Sequence, residues 1–291
     1  MKRAFLLLPI GLSASLAFAV FPDKPTTGYR AVGMIGSTST GAFKLSGSGV
    51  AIAPQWVIGV SHVGGTVFVQ GGRHYPIEKK TIHKVTTGEP ADLALYKLSK
   101  PVTAYMPILF APYDSATGGI ELKGRTAFLV GFGRTAKLRG DGIGWDPVTG
   151  SEGVKRVATN RLDRVSTERY NIGTDLDPKY KSTVCLGYDI DKPGDPSFST
   201  LGSLFSDSEG GAAARDSGGG WFVNVGGANY LVAVSATVGR PENSLLPTDY
   251  SYGAMGFGVH LYNYRGWIRS VTGMQELGAN PSLALLFPWT A

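Results

Sequence analysis

A serine that follows an acid and precedes glycines, in the segment 215–220 (Arg-Asp-Ser-Gly-Gly-Gly), is the best candidate nucleophile of this chain. A serine hydroxyl is a weak nucleophile unless a neighbouring base removes its proton, and glycines permit the backbone torsions that such a site requires. His62 follows one apolar run of the sequence, and Asp92 stands at the head of another. Together the three residues predict a Ser–His–Asp triad, in which His62 is the general base for Ser217 and Asp92 orients the imidazole.

Each of these segments has an ordinary structural explanation when it is taken alone. A histidine after a strand is often structural, an aspartate often begins a strand, and Asp-Ser-Gly-Gly is also a tight-turn sequence. The combination of all three favours the triad. The sequence contains no HExxH or HxxEH zinc motif and no Ser-x-x-Lys dyad, and Arg215 occupies the first glycine position of a G-x-S-x-G elbow.

Short apolar runs separated by turn residues must position these side chains. Glycine accounts for 41 of the 291 residues, and β-branched and aromatic residues cluster in runs that Gly, Pro, Asp, Asn and Ser interrupt. This pattern predicts an all-β fold. The one convincing helical pattern lies at 261–272, where Leu261, Tyr264, Ile268 and Val271 share a face. The runs that predict strands include 56–58, 67–69, 127–130, 230–234 and 257–259.

The amino terminus has the pattern of a secretory signal peptide. Lys2 and Arg3 precede an apolar run that continues to about Phe18, and residues 17–19 (Ala-Phe-Ala) form an A-x-A cleavage pattern. The apolar run is short for a membrane anchor, and no later segment of the sequence is long and apolar enough to cross a bilayer. We therefore expect residues 1–19 to be removed and the protein to be exported, to the periplasm or the extracellular medium.

Charge and cysteine content restrict the function further. The formal net charge of +6 falls by two when the leader is removed with Lys2 and Arg3, and no dense Lys/Arg run is present, so we expect no nucleic-acid partner. The single cysteine, Cys185, excludes an intramolecular disulfide, and its apolar neighbours favour a buried side chain over a reactive thiol. Triad chemistry requires no metal and no organic cofactor.

Several motifs beyond the triad resemble those of bacterial trypsin-like serine proteases. The chain order His62, Asp92, Ser217 is the order of that family. The resemblance covers about residues 29–271, and it implies two antiparallel six-stranded β-barrels with the active site in the cleft between them, followed by a C-terminal α-helix. The other segments that carry it are 47–57, 131–134, 256–259 and Tyr264 with Trp267-Ile268.

The same resemblance implies the organisation of the chain. The signal peptide, residues 1–19, is followed by a protease domain, residues 20–272. The domain divides into two barrels, about 27–115 and 116–260, and a helix, 261–272. An apolar tail, 273–291, completes the chain.

The resemblance also assigns roles around Ser217. The oxyanion hole uses the backbone N–H groups of Arg215 and Ser217. Asp216 holds the loop through an ion pair or a hydrogen bond, and Ser235 lies near Asp92 on the strand that pairs with the substrate backbone. The substrate-binding residues that the resemblance implies are Gly211, Ala212, Ala213, Ser235, Ala236, Thr237 and Gly256, with Val238 beside them.

The residue at the floor of the expected pocket limits the specificity. Gly211 stands six residues before Ser217, where trypsins carry the aspartate that selects Lys and Arg. A small neutral floor disfavours basic substrate side chains, although Glu209 lies nearby in the sequence. Small-to-medium apolar or aromatic side chains are the expected preference.

The chain departs from the family pattern at three places. Arg215 replaces the glycine before Asp-Ser-Gly, and a side chain there has a steric cost wherever φ is positive. Ser61-His62-Val63 replaces the common Ala-His-Cys, in keeping with the single cysteine. The usual activation signal, a freed Ile or Val amino terminus, is not obvious, but cleavage after Ala19 would expose Val20.

The expectation from the sequence is a secreted serine endopeptidase that acts on polypeptides through an acyl-enzyme and is not specific for Lys or Arg. Two alternatives remain open. Arg215 raises the possibility of a catalytically silent homologue that binds a peptide or a protein. A self-processing precursor is the second alternative. The sequence does not indicate an oligomeric state.

Overall fold

A computed structural model describes residues 18–21, 24–114, 120–201, 209–239 and 250–274. Within these ranges the chain is mainly β-structure with one short α-helix near the carboxyl end. Residues 1–17 of the expected signal peptide, and the tail from residue 275 onward, lie outside the described residues. None of the helices in the described ranges has the length and apolar character that a membrane crossing requires.

The first part of the chain forms a closed six-stranded antiparallel barrel. In chain order its strands are β2 (Val32–Ser39), β3 (Ala42–Ala53), β4 (Trp56–Gly59), β5 (Val67–Gln70), β6 (Arg73–Ile82) and β7 (Ala94–Leu98). They are arranged in the order β2-β3-β4-β7-β6-β5, and β5 pairs back to β2. Inward-facing residues such as Ile58, Phe68 and Leu95 are fully buried. The barrel therefore matches the first of the two expected barrels. Strand β1 (Phe18–Phe21) precedes the barrel and is not one of its six strands.

The remaining strands form a seven-stranded antiparallel sheet and two short pairs. In chain order these strands are β8 (Thr126–Gly131), β9 (Thr135–Leu138), β10 (Trp145–Val148), β11 (Arg156–Arg161), β12 (Arg164–Asn171), β13 (Tyr180–Asp189), β14 (Gly211–Ala213), β15 (Gly220–Val225), β16 (Ala228–Gly239) and β17 (Met255–His260). The sheet has the order β11-β8-β15-β16-β17-β13-β12, while β1 pairs with β14 and β9 pairs with β10.

The expected second closed barrel is not seen, because the seven-stranded sheet has two edges, β11 and β12. These edge strands are consecutive in the chain and are joined by Leu162 and Asp163. Leu162 N–H bonds the carbonyl of Arg125 at 3.0 Å, and Asp163 N–H bonds that of Gly187 at 2.9 Å. The segment 156–171 thus changes its partner from β8 to β13 at one bend. The coarser expectation of an all-β fold is confirmed.

The carboxyl-terminal helix forms where the periodicity predicts it. A 3-10 turn, Leu261–Tyr264, leads into the α-helix α1, Arg265–Thr272, and Gly273 ends the helix at φ 71°. Leu261 and Ile268 are fully buried. Because glycine adopts positive φ without a side-chain clash, Gly273 can close the helix with an N–H bond to the carbonyl of Arg269 at 2.8 Å. Cys185 of β13 is fully buried, as the sequence predicts.

Four carboxyl groups meet where the bend between β11 and β12 contacts the end of β13. Asp163 accepts a hydrogen bond from the N–H of Asp189 at 3.1 Å, and Glu209 accepts one from the N–H of Asp191 at 2.8 Å. Asp189, Asp191 and Glu209 are all more than nine-tenths buried. Burial, together with the charges of Asp189 and Glu209, raises the pKa of Asp163 to about 8. This carboxyl group therefore carries a proton at neutral pH.

This raised pKa predicts a stability that depends on pH. Asp163 is protonated in the folded protein up to about pH 8, but in the unfolded chain it ionises above about pH 4. Its contribution to the free energy of unfolding therefore declines as the pH rises between these values. Between about pH 5 and pH 8 the stability of wild type relative to Asp163→Asn should therefore fall by roughly 2–4 kcal/mol. Urea unfolding at about pH 5, 6.5 and 8 measures it. The exposed Asp175→Asn should follow wild type, and parallel pH profiles for Asp163→Asn and wild type would contradict the shifted pKa.

Candidate active site

Strand pairing in the barrel brings His62 to Asp92. Gly59 at the end of β4 is paired with Ala94 at the start of β7, so the residue shortly after β4 meets the residue shortly before β7. The Nδ1 atom of His62 lies 2.6 Å from Oδ2 of Asp92. Since the carboxylate can only accept, Nδ1 carries the proton and Nε2 is left with its lone pair. The imidazole is thus held in the tautomer that a general base requires.

The carboxylate of Asp92 is fully buried and accepts several hydrogen bonds. The hydroxyl of Ser61 and the N–H of His62 donate to Oδ1, at 2.6 and 3.1 Å. The hydroxyl of Tyr170 donates to Oδ2 at 3.2 Å. Burial alone would raise the pKa of Asp92, but the charge that His62 carries when its imidazole is protonated, together with the hydrogen bonds from His62 and Ser61, lowers it to about 2. The group is therefore ionised throughout the neutral range.

Two residues that the sequence analysis missed hold the turn that carries His62. The ammonium group of Lys80 donates to the carbonyls of Ser61 and Val63, at 2.6 and 2.8 Å. The hydroxyl of Tyr96 lies 2.8 Å from the carbonyl oxygen of Val63 and can donate to it. The carbonyls on both sides of His62 are therefore fixed, which limits the motion of the imidazole. Both residues lie far from His62 in the sequence and belong to no motif.

The other half of the molecule also holds Asp92. Tyr170 lies on β12 and Thr183 on β13, and both strands belong to the seven-stranded sheet. Besides the bond from Tyr170, the N–H of Asp92 donates to Oγ1 of Thr183 at 3.0 Å. The acid of the candidate triad therefore joins the barrel to the sheet. The sequence carries no signal for this, because a tyrosine and a threonine in strands have ordinary structural uses.

The segment that carries Ser217 is folded into two consecutive tight turns. The N–H of Asp216 donates to the carbonyl of Ala213 at 3.0 Å, and that of Gly219 donates to Asp216 at 2.6 Å. The third residue of each turn has positive φ, 74° at Arg215 and 84° at Gly218. This is the geometry of type II turns, which favour glycine at that position. Ser217 stands between the two positive-φ residues and is partly exposed.

Arg215 adopts the backbone conformation that a glycine would adopt more easily. A left-handed residue with a side chain costs about 1–2 kcal/mol, and this cost must be offset by contacts. One of them is the hydroxyl of Ser48, which donates to the Arg215 carbonyl at 3.1 Å. Among the described residues no acceptor is seen for the N–H groups of Arg215 and Ser217. These two donors are therefore available at the side of the serine.

Asp216 holds this loop through backbone hydrogen bonds. Its carboxylate accepts from the N–H of Gly133 at 2.8 Å and from that of Ala213 at 3.0 Å, and the residue is 1% exposed. The hydrogen bond that the resemblance implies for Asp216 is thus present. Of the ion pairs seen within the described ranges, none joins Asp216 to Arg215.

Strand β3 of the barrel joins the serine loop to the histidine turn. The N–H of Ser48 donates to the carbonyl of Ser217 at 2.8 Å. A methyl group on Gly47 would lie 2.6 Å from Val63 and 2.8 Å from the Ser217 carbonyl, so one glycine separates the residue after His62 from the serine. No hydrogen bond between Ser217 and His62 is seen. In unliganded enzymes such bonds are often long and tighten when substrate binds.

The residues expected to bind substrate belong to three strands near Ser217. The N–H of Gly218 donates to the carbonyl of Ser235, and the N–H of Ser235 donates to that of Gly219, both at 2.8 Å. The hydroxyl of Ser235 accepts from the indole of Trp221 at 2.8 Å, and no hydrogen bond to Asp92 is seen. Tyr170 makes that contact instead. The expected set lies on β14 (Gly211, Ala212, Ala213), on β16 (Ser235, Ala236, Thr237) and on β17 (Gly256).

The position of Gly47 gives a test of this arrangement. Gly47→Ala would push a methyl group into Val63 and the Ser217 carbonyl, and such overpacking typically costs about 1–3 kcal/mol. We expect a lower free energy of unfolding and faster hydrogen exchange of the Ser48 amide. Gly64→Ala is the matched control, because a methyl group there meets nothing within 4 Å. Equal stability and exchange in the two variants would contradict the close approach.

No protein-family model matches the chain, and no curated protein matches it at a significant level. The function is therefore argued from the geometry of the site and from the resemblance of its sequence motifs.

Proposed function

We propose that this chain is an exported serine endopeptidase of the trypsin-like type, with Ser217 as nucleophile, His62 as general base and Asp92 as the acid that orients it. The observation that carries the proposal is the 2.6 Å bond between His62 and Asp92, whose carboxylate is fully buried. A His–Asp pair on the surface would not require this number of hydrogen-bond donors around its carboxylate, because water would solvate it. The position of Ser217 within the second of two consecutive tight turns, beside the barrel, supports its role.

The chemistry follows from these groups. Nε2 of His62 takes the proton of the Ser217 hydroxyl while the oxygen attacks the carbonyl carbon of a peptide bond. The backbone N–H groups of Arg215 and Ser217 donate to the oxygen on which negative charge develops. His62 then protonates the leaving amine, and water releases the acyl group from Ser217 by the reverse sequence. Asp92 remains ionised and stabilises the imidazolium at each stage.

The seven-stranded sheet supports the second barrel that the resemblance implies. Segment 156–171 pairs with β8 through its first half and with β13 through its second half. We count it as one bent strand, which would complete a second six-stranded barrel. The interface between the two barrels would then contain Asp92 on one side and Ser217 on the other.

An active-site probe tests the proposal directly. A fluorophosphonate reacts with an activated serine and makes little demand on the substrate pocket. The wild-type protein should be labelled within minutes, and Ser217→Ala should not be labelled. Asp92→Asn should react at least about 1,000-fold more slowly, because it favours the wrong tautomer of His62.

Probe labelling of an Arg215→Gly variant distinguishes an active protease from a catalytically silent homologue. Arg215 already has φ 74°, so Arg215→Gly relieves strain without changing the turn. We expect wild type and Arg215→Gly to be labelled at similar rates. Labelling of Arg215→Gly alone would reject the proposal for the wild-type protein and favour a protein that binds peptides without cleaving them.

We propose further that removal of the leader completes the site. Phe21 of β1 is opposite Gly211 in β14 and is fully buried against Trp145, with ring centroids 4.9 Å apart. Ala213 of the same strand donates to Asp216. Cleavage after Ala19 would keep Phe21 in place and bring a charged amine at Val20 toward that buried carboxylate.

Two amino-terminal forms of the purified protein test this step. Protein beginning at Val20 should react with the probe at least about tenfold faster than the same protein with Met-Gly added before Val20. The extension converts the charged amine of Val20 into an uncharged peptide amide. Mass spectrometry verifies each amino terminus. Equal rates would show that the free amine has no part in forming the site, and the proposed triad would be unaffected.

A further inference from the structure

Tyr188 is a buried aromatic residue beside the expected substrate pocket. It lies on β13, directly opposite Gly256 of β17, so its side chain emerges on the face from which Gly256 lacks one. The residue is 1% exposed. Neither the triad nor the resemblance assigns it a role.

The ring of Tyr188 fills the space between two of the strands that line this pocket. A methyl group on Gly256 would lie 2.1 Å from Cζ of the tyrosine, which shows that the ring covers the glycine. At its far end the phenol oxygen accepts a hydrogen bond from the N–H of Ala212 at 2.6 Å. The side chain therefore extends from β13 across β17 to β14.

The tyrosine is held firmly in this position. The indole ring of Trp221 lies behind it, with ring centroids 5.0 Å apart. Moving the ring would expose a buried aromatic surface and leave the N–H of Ala212 without its acceptor, and each change is unfavourable. Burial also raises the pKa of the Tyr188 phenol, so it stays uncharged.

Strand β14, which the ring reaches, and strand β16, which pairs with β17, both lie next to the Ser217 turn. β14 runs into the turn that carries Ser217, and Ser235 of β16 is hydrogen-bonded to the residues that follow it. A substrate side chain on the acyl side of the scissile bond would enter between these strands. This substrate side chain would contact the ring of Tyr188 and would find no open pocket beyond it.

We propose that Tyr188 forms a raised floor of the primary specificity pocket and that the substrates are polypeptides with glycine, alanine or serine at the residue whose carbonyl Ser217 attacks. The inference rests on the proposed function and narrows it. From Gly211 alone, the sequence predicts a pocket open to apolar and aromatic side chains. Across the sheet Tyr188 takes up that space, because the glycines and alanines of the walls leave room for its ring.

A substrate series that varies a single residue tests the inference on the purified protein. Acyl-tetrapeptide p-nitroanilides carrying Gly, Ala, Ser, Leu, Phe or Lys at the cleaved residue are compared by kcat/KM. We expect alanine to exceed leucine and phenylalanine by at least about 100-fold, since each added methylene must displace a packed ring. Wild-type preference for leucine or phenylalanine overturns the inference without recourse to any variant.

Two substitutions test whether Tyr188 causes the preference for small substrate side chains. Tyr188→Ala should raise kcat/KM for phenylalanine at least about tenfold relative to alanine. Tyr188→Phe retains the ring but loses the bond to Ala212, and it should keep the preference for alanine. Thermal unfolding shows whether each variant is folded. A folded Tyr188→Ala with the wild-type profile overturns the assignment, and Tyr188→Val serves as the test if the alanine variant does not fold.

The fluorophosphonate reaction separates this inference from the function on which it rests. Labelling of wild type at Ser217 with a preference for large side chains rejects the role of Tyr188 and leaves the endopeptidase intact. Absence of labelling, together with no hydrolysis of any substrate, rejects the proposed function and the inference with it.

Discussion

A single ionised carboxylate, that of Asp92, is the constraint on which the rest of this site depends. A buried charge is unfavourable by several kcal/mol unless hydrogen bonds and an opposite charge replace the water it has lost. In this protein the replacement comes from both halves of the molecule, through His62 and Ser61 in the barrel and Tyr170 in the sheet. The need to satisfy one carboxylate therefore sets how the two halves meet.

The candidate nucleophile, Ser217, is positioned by a second, mainly backbone set of contacts. Strand β3 passes beside the Ser217 loop. Ser48 on this strand donates its N–H group to the carbonyl of Ser217 and its hydroxyl to the carbonyl of Arg215. Gly47 permits the approach because it has no side chain. The Ser217 carbonyl and the side chain of Val63, the residue after His62, thus both lie close to Gly47 on one strand of the barrel.

The strain at Arg215 shows how tertiary contacts override a local preference. Glycine is the usual residue at φ 74° in such a turn, yet the turn forms with arginine. The bond from Ser48 to the arginine carbonyl and the amides around Asp216 determine the backbone from outside the turn. A local rule correctly identified the conformation as strained, but it gave no information on the surrounding bonds that enforce it.

The amino-acid sequence by itself determined the all-β class, the terminal helix and the identity of the three candidate catalytic residues. These follow from local patterns, namely apolar runs, a 3.6-residue period, and a serine, a histidine and an aspartate beside strands. Only the tertiary structure decided which residues surround them. Tyr170 and Tyr188 act on residues far away in the chain, and their positions depend on strand register and on the space that glycines leave. Segment 156–171 bends into two edge strands for the same reason, because the choice of partner along a strand is set by distant residues and not by its own sequence.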